Sequence, residues 1–212
     1  TMPFVFCTWI FILAARAMNS MPPEHLPDPS LPESFSSVAD LHFKNLVIYC
    51  LEGISQVFLI NSWITGILFL IGIAISSPIA ALTAFGGSAL ALLTAILFGA
   101  AGSEVANGLY CFSAVLTAMA VGVVFYKPGL HSAMWAIVAT IVTVFIQAAM
   151  NVLLLPLGIA TLTAPFCVTT WLFLLPLLAI GKDEKPDHSN WNPNNKRHLA
   201  KRLRTPKQPL NN

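Results

Sequence analysis

Charge is scarce in this sequence. Asp, Glu, Lys and Arg make up 9% of its 212 residues and 56% are hydrophobic, against roughly 25% charged residues in an ordinary soluble domain. That shortage excludes a water-soluble globule and makes the chain an integral membrane protein. Acids are missing where they would matter most. None falls in the apolar runs at 1–15, 61–77, 78–99, 105–126, 130–154 and 155–180, which removes the carboxylates that relay protons or couple ions within a bilayer. Transport by such a chain would be passive. Cys7, Cys50, Cys111 and Cys167 stand singly in apolar sequence, so they read as packing residues, with neither disulfide-scaffold nor metal-ligand spacing. His131 stands near a helix start and the remaining His in loops, and no paired Asp or His-Glu-x-x-His occurs in the apolar runs, which argues against an intramembrane enzyme. His188 and His198 are isolated, and no metal, cofactor or nucleic-acid partner is expected.

What the sequence does have is long apolar runs and an internal echo. Five of the runs, from 61 to 180, are each near the ~20 residues that cross a bilayer as a helix; the run at 1–15 is shorter. Thr1, Pro3, Phe4, Thr8, Trp9, Phe11 and Leu13 recur 162 residues later as Thr163, Pro165, Phe166, Thr170, Trp171, Phe173 and Leu175. Seven identities in thirteen positions mark a duplication. If the repeated Thr-x-Pro stands inside a helix, Pro165 has no N–H to give to the carbonyl of Thr161. Lipid cannot supply the missing donor, so such a break reads either as a structural kink or as a site where protein or water takes over.

The basic residues fix an orientation. Eight of the eleven Lys and Arg lie between Lys182 and Lys207, and a basic flank next to a last span stays in the cytoplasm. Counting back places Lys127 and Pro128 inside, with Glu104 and the segment 19–41 outside. That segment contains no Lys or Arg but carries Glu24, Asp28, Glu33 and Asp40. The first and last spans then cross in opposite senses, which makes the duplication an inverted repeat with a path near the midplane.

Between the spans, residues 19–41 hold Pro22, Pro23, Pro27, Pro29 and Pro32 and read as an extended linker. The apolar stretch 46–59 would be roughly 21 Å long as a helix, too short to span. It is either re-entrant or interfacial. As a helix it aligns Glu52 with Gln56, and Tyr49 and Leu59 extend the stripe. Small residues at Gly86, Gly87, Ser88, Ala89 and Ala91 suit close helix packing. Asn107, Gly108, Phe112, Ser113 and Leu116 give the run at 105–126 a face that is part polar and part aromatic, which suits either a Gly-relieved helix contact or a path. The tail 181–212 is rich in Asn, Pro, Lys and Arg without apolar periodicity, a composition that favours disorder.

Four separated segments together resemble the urea transporter family, in particular its bacterial members: Gly53-Ile54-Ser55-Gln56-Val57-Phe58-Leu59 with Asn61; Ser76-Ser77-Pro78; Gly108-Leu109-Tyr110-Cys111-Phe112-Ser113; and Thr163-Ala164-Pro165-Phe166. Two departures stand out: a slightly longer insertion after Leu155-Pro156, and Ser113 where Asn often follows the aromatic. The resemblance implies an all-α membrane channel of inverted repeats, each with one re-entrant helix and five spans, assembled as a homotrimer. On it, 1–16 is the last helix of a first repeat and 42–180 a second repeat with its re-entrant helix at 46–59, so that the chain reads as a C-terminal fragment with about six spans. It further implies pore-lining roles for Gln56, Val57, Leu59, Phe112, Leu116, Thr163 and, from the other repeat, Thr1.

The function this implies is passive, channel-type movement of urea across a plasma membrane, the bacterial inner membrane, with the tail cytoplasmic. The alternatives are a channel for another small neutral solute such as ammonia or a short amide, or a non-conducting fragment. Urea is planar and neutral with four N–H donors and one carbonyl. Aromatic walls can select its flatness, and leaving one donor unpaired in a dry site costs on the order of 1–3 kcal/mol. A ladder of uncharged oxygens removes that penalty without trapping the solute.

Overall fold

The computed structural model describes residues 1–18 and 42–179, the side chains of 176–179 excepted; the linker 19–41 and the tail 181–212 lie outside. The described residues form eight α-helices: α1 (Met2–Ala17), α2 (Phe43–Ser55), α3 (Trp63–Ser76), α4 (Pro78–Leu97), α5 (Gly102–Ala106), α6 (Phe112–Met119), α7 (Leu130–Leu154) and α8 (Ala164–Ala179). Among them, α4 and α7 with its 3-10 extension to Leu157 are long and apolar enough to cross a membrane alone. The pair α2 and α3 passes the same test only as a unit bent by 73°.

The bend follows from the local sequence. α2 tightens into a 3-10 turn at Gln56–Phe58 and stops where Leu59 takes a left-handed conformation with φ 59°. Ser55 holds the reversal: its hydroxyl donates to the carbonyl of Ile60 at 2.6 Å. The next boundary is a Ser-Pro pair. Pro78 opens α4, where its missing N–H would be unpaired anyway, and Ser77 caps it by accepting from the Ala80 N–H at 3.3 Å.

α4 packs against α2, α3, α6 and α7 through its small side chains. Ala84, Gly87, Ser88, Ala91 and Ala95 are all buried, which lets backbones approach; Ser88 then donates to the Cys50 carbonyl at 2.7 Å. A hydroxyl pair, Thr143 to Thr117 at 3.0 Å, ties α7 to α6. α6 ends in a π turn at Ala120–Val124, and beyond it the Tyr126 hydroxyl donates to the Phe173 carbonyl of α8 at 2.6 Å. Outward positions such as Ile71, Ile75, Leu82, Leu97 and Leu130 are apolar and exposed, the surface that a lipid environment asks for. The four cysteines are free, and Cys50 and Cys111 share one core cluster.

The structure differs from the sequence reading in the run 105–126, which turns between Ala106 and Phe112, and in two features further on. The run 155–180 is helical only from Ala164: Leu155–Leu157 closes α7 as a 3-10 turn, Gly158 is left-handed with φ 61°, and Leu162 follows with φ 49°. Pro156 lacks the N–H that a continuing helix needs, and glycine two positions on supplies the stop. As a result Pro165 does not stand inside a helix but in its first turn, and the Thr161 carbonyl accepts from the Ala164 N–H at 3.2 Å. The repeated Thr-x-Pro is a helix start. Both copies use it alike, with Val5 N–H to the Thr1 carbonyl at 3.2 Å and Cys167 N–H to the Thr163 carbonyl at 3.1 Å.

One close contact gives a stability prediction. Gly108 has φ +68°, and a Cβ there would come within 2.5 Å of the Gly53 nitrogen on α2. Gly108→Ala therefore combines left-handed strain with overpacking, each worth about 1–3 kcal/mol. Thermal unfolding in detergent should show a clear loss of stability, and an unchanged melting temperature would refute the close packing.

Candidate functional site

A cavity of about 280 Å³ opens where the end of the bent α2 unit, α5, the start of α6 and the broken α7–α8 connection meet. Three of the residues singled out from the sequence line it: Gln56, Leu59 and Phe112. Gln56 is 9% exposed. Its Nε2 donates to the Asn107 carbonyl at 3.1 Å, and since a carbonyl can only accept, the amide is fixed with its oxygen at the other end. Asn107 is held in turn, its side chain donating to Ser103 and accepting from Asn61. Leu59 projects from the left-handed hinge. Phe112, 5% exposed, opens α6 directly after the Gly108 turn.

The other four singled-out residues do not line this cavity. Val57 packs against the cluster of Ile54, Ala84 and Val115, and Leu116 is half-buried one turn beyond Phe112. The Thr163 hydroxyl is buried with no hydrogen-bond partner. Thr1 is exposed, its hydroxyl 3.0 Å from the Cys167 Sγ. α1 meets the α8 side through that contact, through Trp9 Nε1 to the Ala160 carbonyl at 2.9 Å, and through Arg16 to the Gly158 carbonyl at 3.2 Å. As α1 advances, its partners step back from 167 to 158, so the two segments run antiparallel.

Four polar residues of the cavity were not singled out from the sequence: Glu104, Gln147, Asn151 and Thr161. They form a continuous chain. Asn151 donates from Nδ2 to Glu104 Oε2 at 2.6 Å, and Gln147 donates from Nε2 to Asn151 Oδ1 at 2.8 Å and to Thr161 Oγ1 at 2.7 Å. Glu104, counted to the outer side in the sequence, stands on the five-residue α5 and faces this cavity. Burial pushes its carboxyl above the ordinary carboxylate range, and hydrogen bonds from Tyr110 and Asn151 draw it part of the way back. One signal was available: Gln147 and Asn151 are an i, i+4 polar pair inside the otherwise apolar run 130–154.

The fold and site define an all-helical integral membrane protein with a small, acceptor-bearing cavity between broken helices. The Urea transporter family model matches residues 1–177, and the chain belongs to that family. It is 28% identical over 176 residues to Urea transporter 1 of Ovis aries and of Capra hircus, and 28% identical over 179 residues to that of Rattus norvegicus. Each match covers 82% of this chain and 46% of the relative, so the chain spans about half the length of these relatives.

Proposed function

We propose that the protein carrying this chain is a passive, channel-type urea transporter of a plasma membrane, with urea entering at the cavity of Gln56 and Phe112. The observation that carries the reading is an uncharged, orientation-fixed amide beside an aromatic wall, in a cavity of a urea transporter family member. Such a pair offers urea an acceptor for its N–H groups and a flat surface for its plane. Thr163 and Thr1 belong to this reading as hydroxyls further along the path, with Val57 and Leu116 as apolar walls. The antiparallel run of α1 along the segment 158–167 and the shared helix starts at Thr1 and Thr163 support two inverted repeats, and a homotrimer with the basic tail in the cytoplasm completes the arrangement.

Stopped-flow light scattering on proteoliposomes tests this, using the longest reading frame that contains residues 1–212. Urea should shrink and refill these vesicles faster than empty ones. Equal rates overturn the reading, and faster passage of ammonia or a short amide than of urea would transfer the function to that solute. Phe112 supplies a further check. Phe112→Ala removes the wall, and one methylene of fit is worth about 10–200-fold in discrimination. The flux of methylurea relative to urea should rise at least about tenfold on that scale, and an unchanged ratio would remove Phe112 from the slot.

A further inference from the structure

The geometry points to Gln147 as a second amide-reading acceptor, its carbonyl aimed by a relay that starts at Glu104. Gln147 lies on α7, is 2% exposed and lines the same cavity as Gln56, yet its Oε1 is buried without a hydrogen-bond partner. A buried acceptor left open in this way calls for a ligand donor or an explanation of its absence.

The orientation of that amide is set by elimination. Glu104 Oε2 accepts at 2.6 Å from Asn151 Nδ2, so the end of Asn151 that meets the carboxyl is its NH₂. The oxygen of Asn151 therefore faces Gln147 at 2.8 Å and requires the NH₂ end of Gln147 there. Thr161 takes the second N–H of that group at 2.7 Å. Both donors of Gln147 are then engaged, and its oxygen is the only end left for a solute. Gln56 has its amide fixed by the same logic through the Asn107 carbonyl. Two neutral oxygens pinned in one cavity, from α7 and from the end of the bent α2 unit, suit a small neutral amide with several N–H donors. They do not suit a solute that only accepts.

Urea as the particular ligand rests on the transport reading above; binding of a donor-bearing amide does not. Glu104 is a positioning residue here, acting through Asn151. Glu104→Gln keeps the shape but loses the acceptor-only anchor, so both amides of the relay can turn over. Gln147→Met removes the oxygen itself but leaves Asn151 and Thr161 short of a partner and can fail to fold; Glu104→Gln carries the test in that event.

The measurements are urea, thiourea and 1,3-dimethylurea flux, and saturation-transfer NMR on the C–H proton of formamide, all on the longest reading frame containing this chain. Each variant should lose about three- to tenfold in formamide binding and in urea flux, the size of one neutral hydrogen bond. Thiourea, with the same four N–H donors, should fall with urea, and 1,3-dimethylurea should fall less. A general distortion would lower all three together and overturns the assignment. Formamide binding that depends on Glu104 or Gln147 without any urea flux in the unmodified protein keeps the acceptor site and refutes urea transport. Urea flux with binding and rates unchanged in the variants does the reverse. Absence of both binding and flux overturns both.

Discussion

Urea flux through a protein in which Leu replaces Gln56 should fall to about a tenth of the unmodified rate or less, the effect of removing one buried hydrogen-bonding group worth roughly 1–3 kcal/mol. Two losses coincide in this substitution. The amide oxygen that meets the solute disappears, and the Asn107 carbonyl, which accepts from Nε2 at 3.1 Å, is left unpaired. Because that second loss is structural, flux is to be read beside the oligomeric state in detergent, which should not change. A retained rate would return Gln56 to the role of a clamp between the 3-10 turn and the α5–α6 loop.

Expressed by themselves, the 212 residues should insert into vesicles and conduct no urea above the background of empty liposomes. The match covers 46% of the length of the sheep relative, and several apolar and hydroxyl groups of these residues stand open or without a partner. Phe4, Phe6, Ile10 and Phe11 of α1 are open. The hydroxyls of Ser113, Thr163 and Thr170 are buried without a partner. On the reading proposed above, the path lies between two repeats and needs both of them to close. Flux from these residues that matches a full-length family member in the same vesicles would overturn the assignment of the path to a repeat interface.

Much of this architecture was legible in composition. The run 130–154 coincides with α7 because Gly129 and the Leu155-Pro156 pair bound an uninterrupted apolar stretch. Ser77-Pro78 likewise announces the α3–α4 boundary. The run 155–180 was harder, since hydropathy does not register the backbone stop made by Pro156 and Gly158 in a stretch that stays apolar throughout. The same blindness made Pro165 look like a kink in mid-helix. As for the site, Gln56 and Phe112 were found because they sit in short motifs, whereas Glu104, Gln147, Asn151 and Thr161 are separated by up to 57 positions in the sequence. Their relay exists only once α5, α7 and the α7–α8 connection meet, and no local pattern carries that meeting.

The π turn at Ala120–Val124 has a consequence for the length of the proposed slot. It ends the regular ladder of α6 after eight residues, roughly 12 Å of rise, and the extra residue it takes in turns everything beyond it by about 100° around the axis. Val121, inside the turn, packs with Tyr126, Ala139 and Phe173. The dehydrated section of any path along α6 is therefore brief. A solute crossing it gives up its water over a short distance only, and the barrier is thin before it is low.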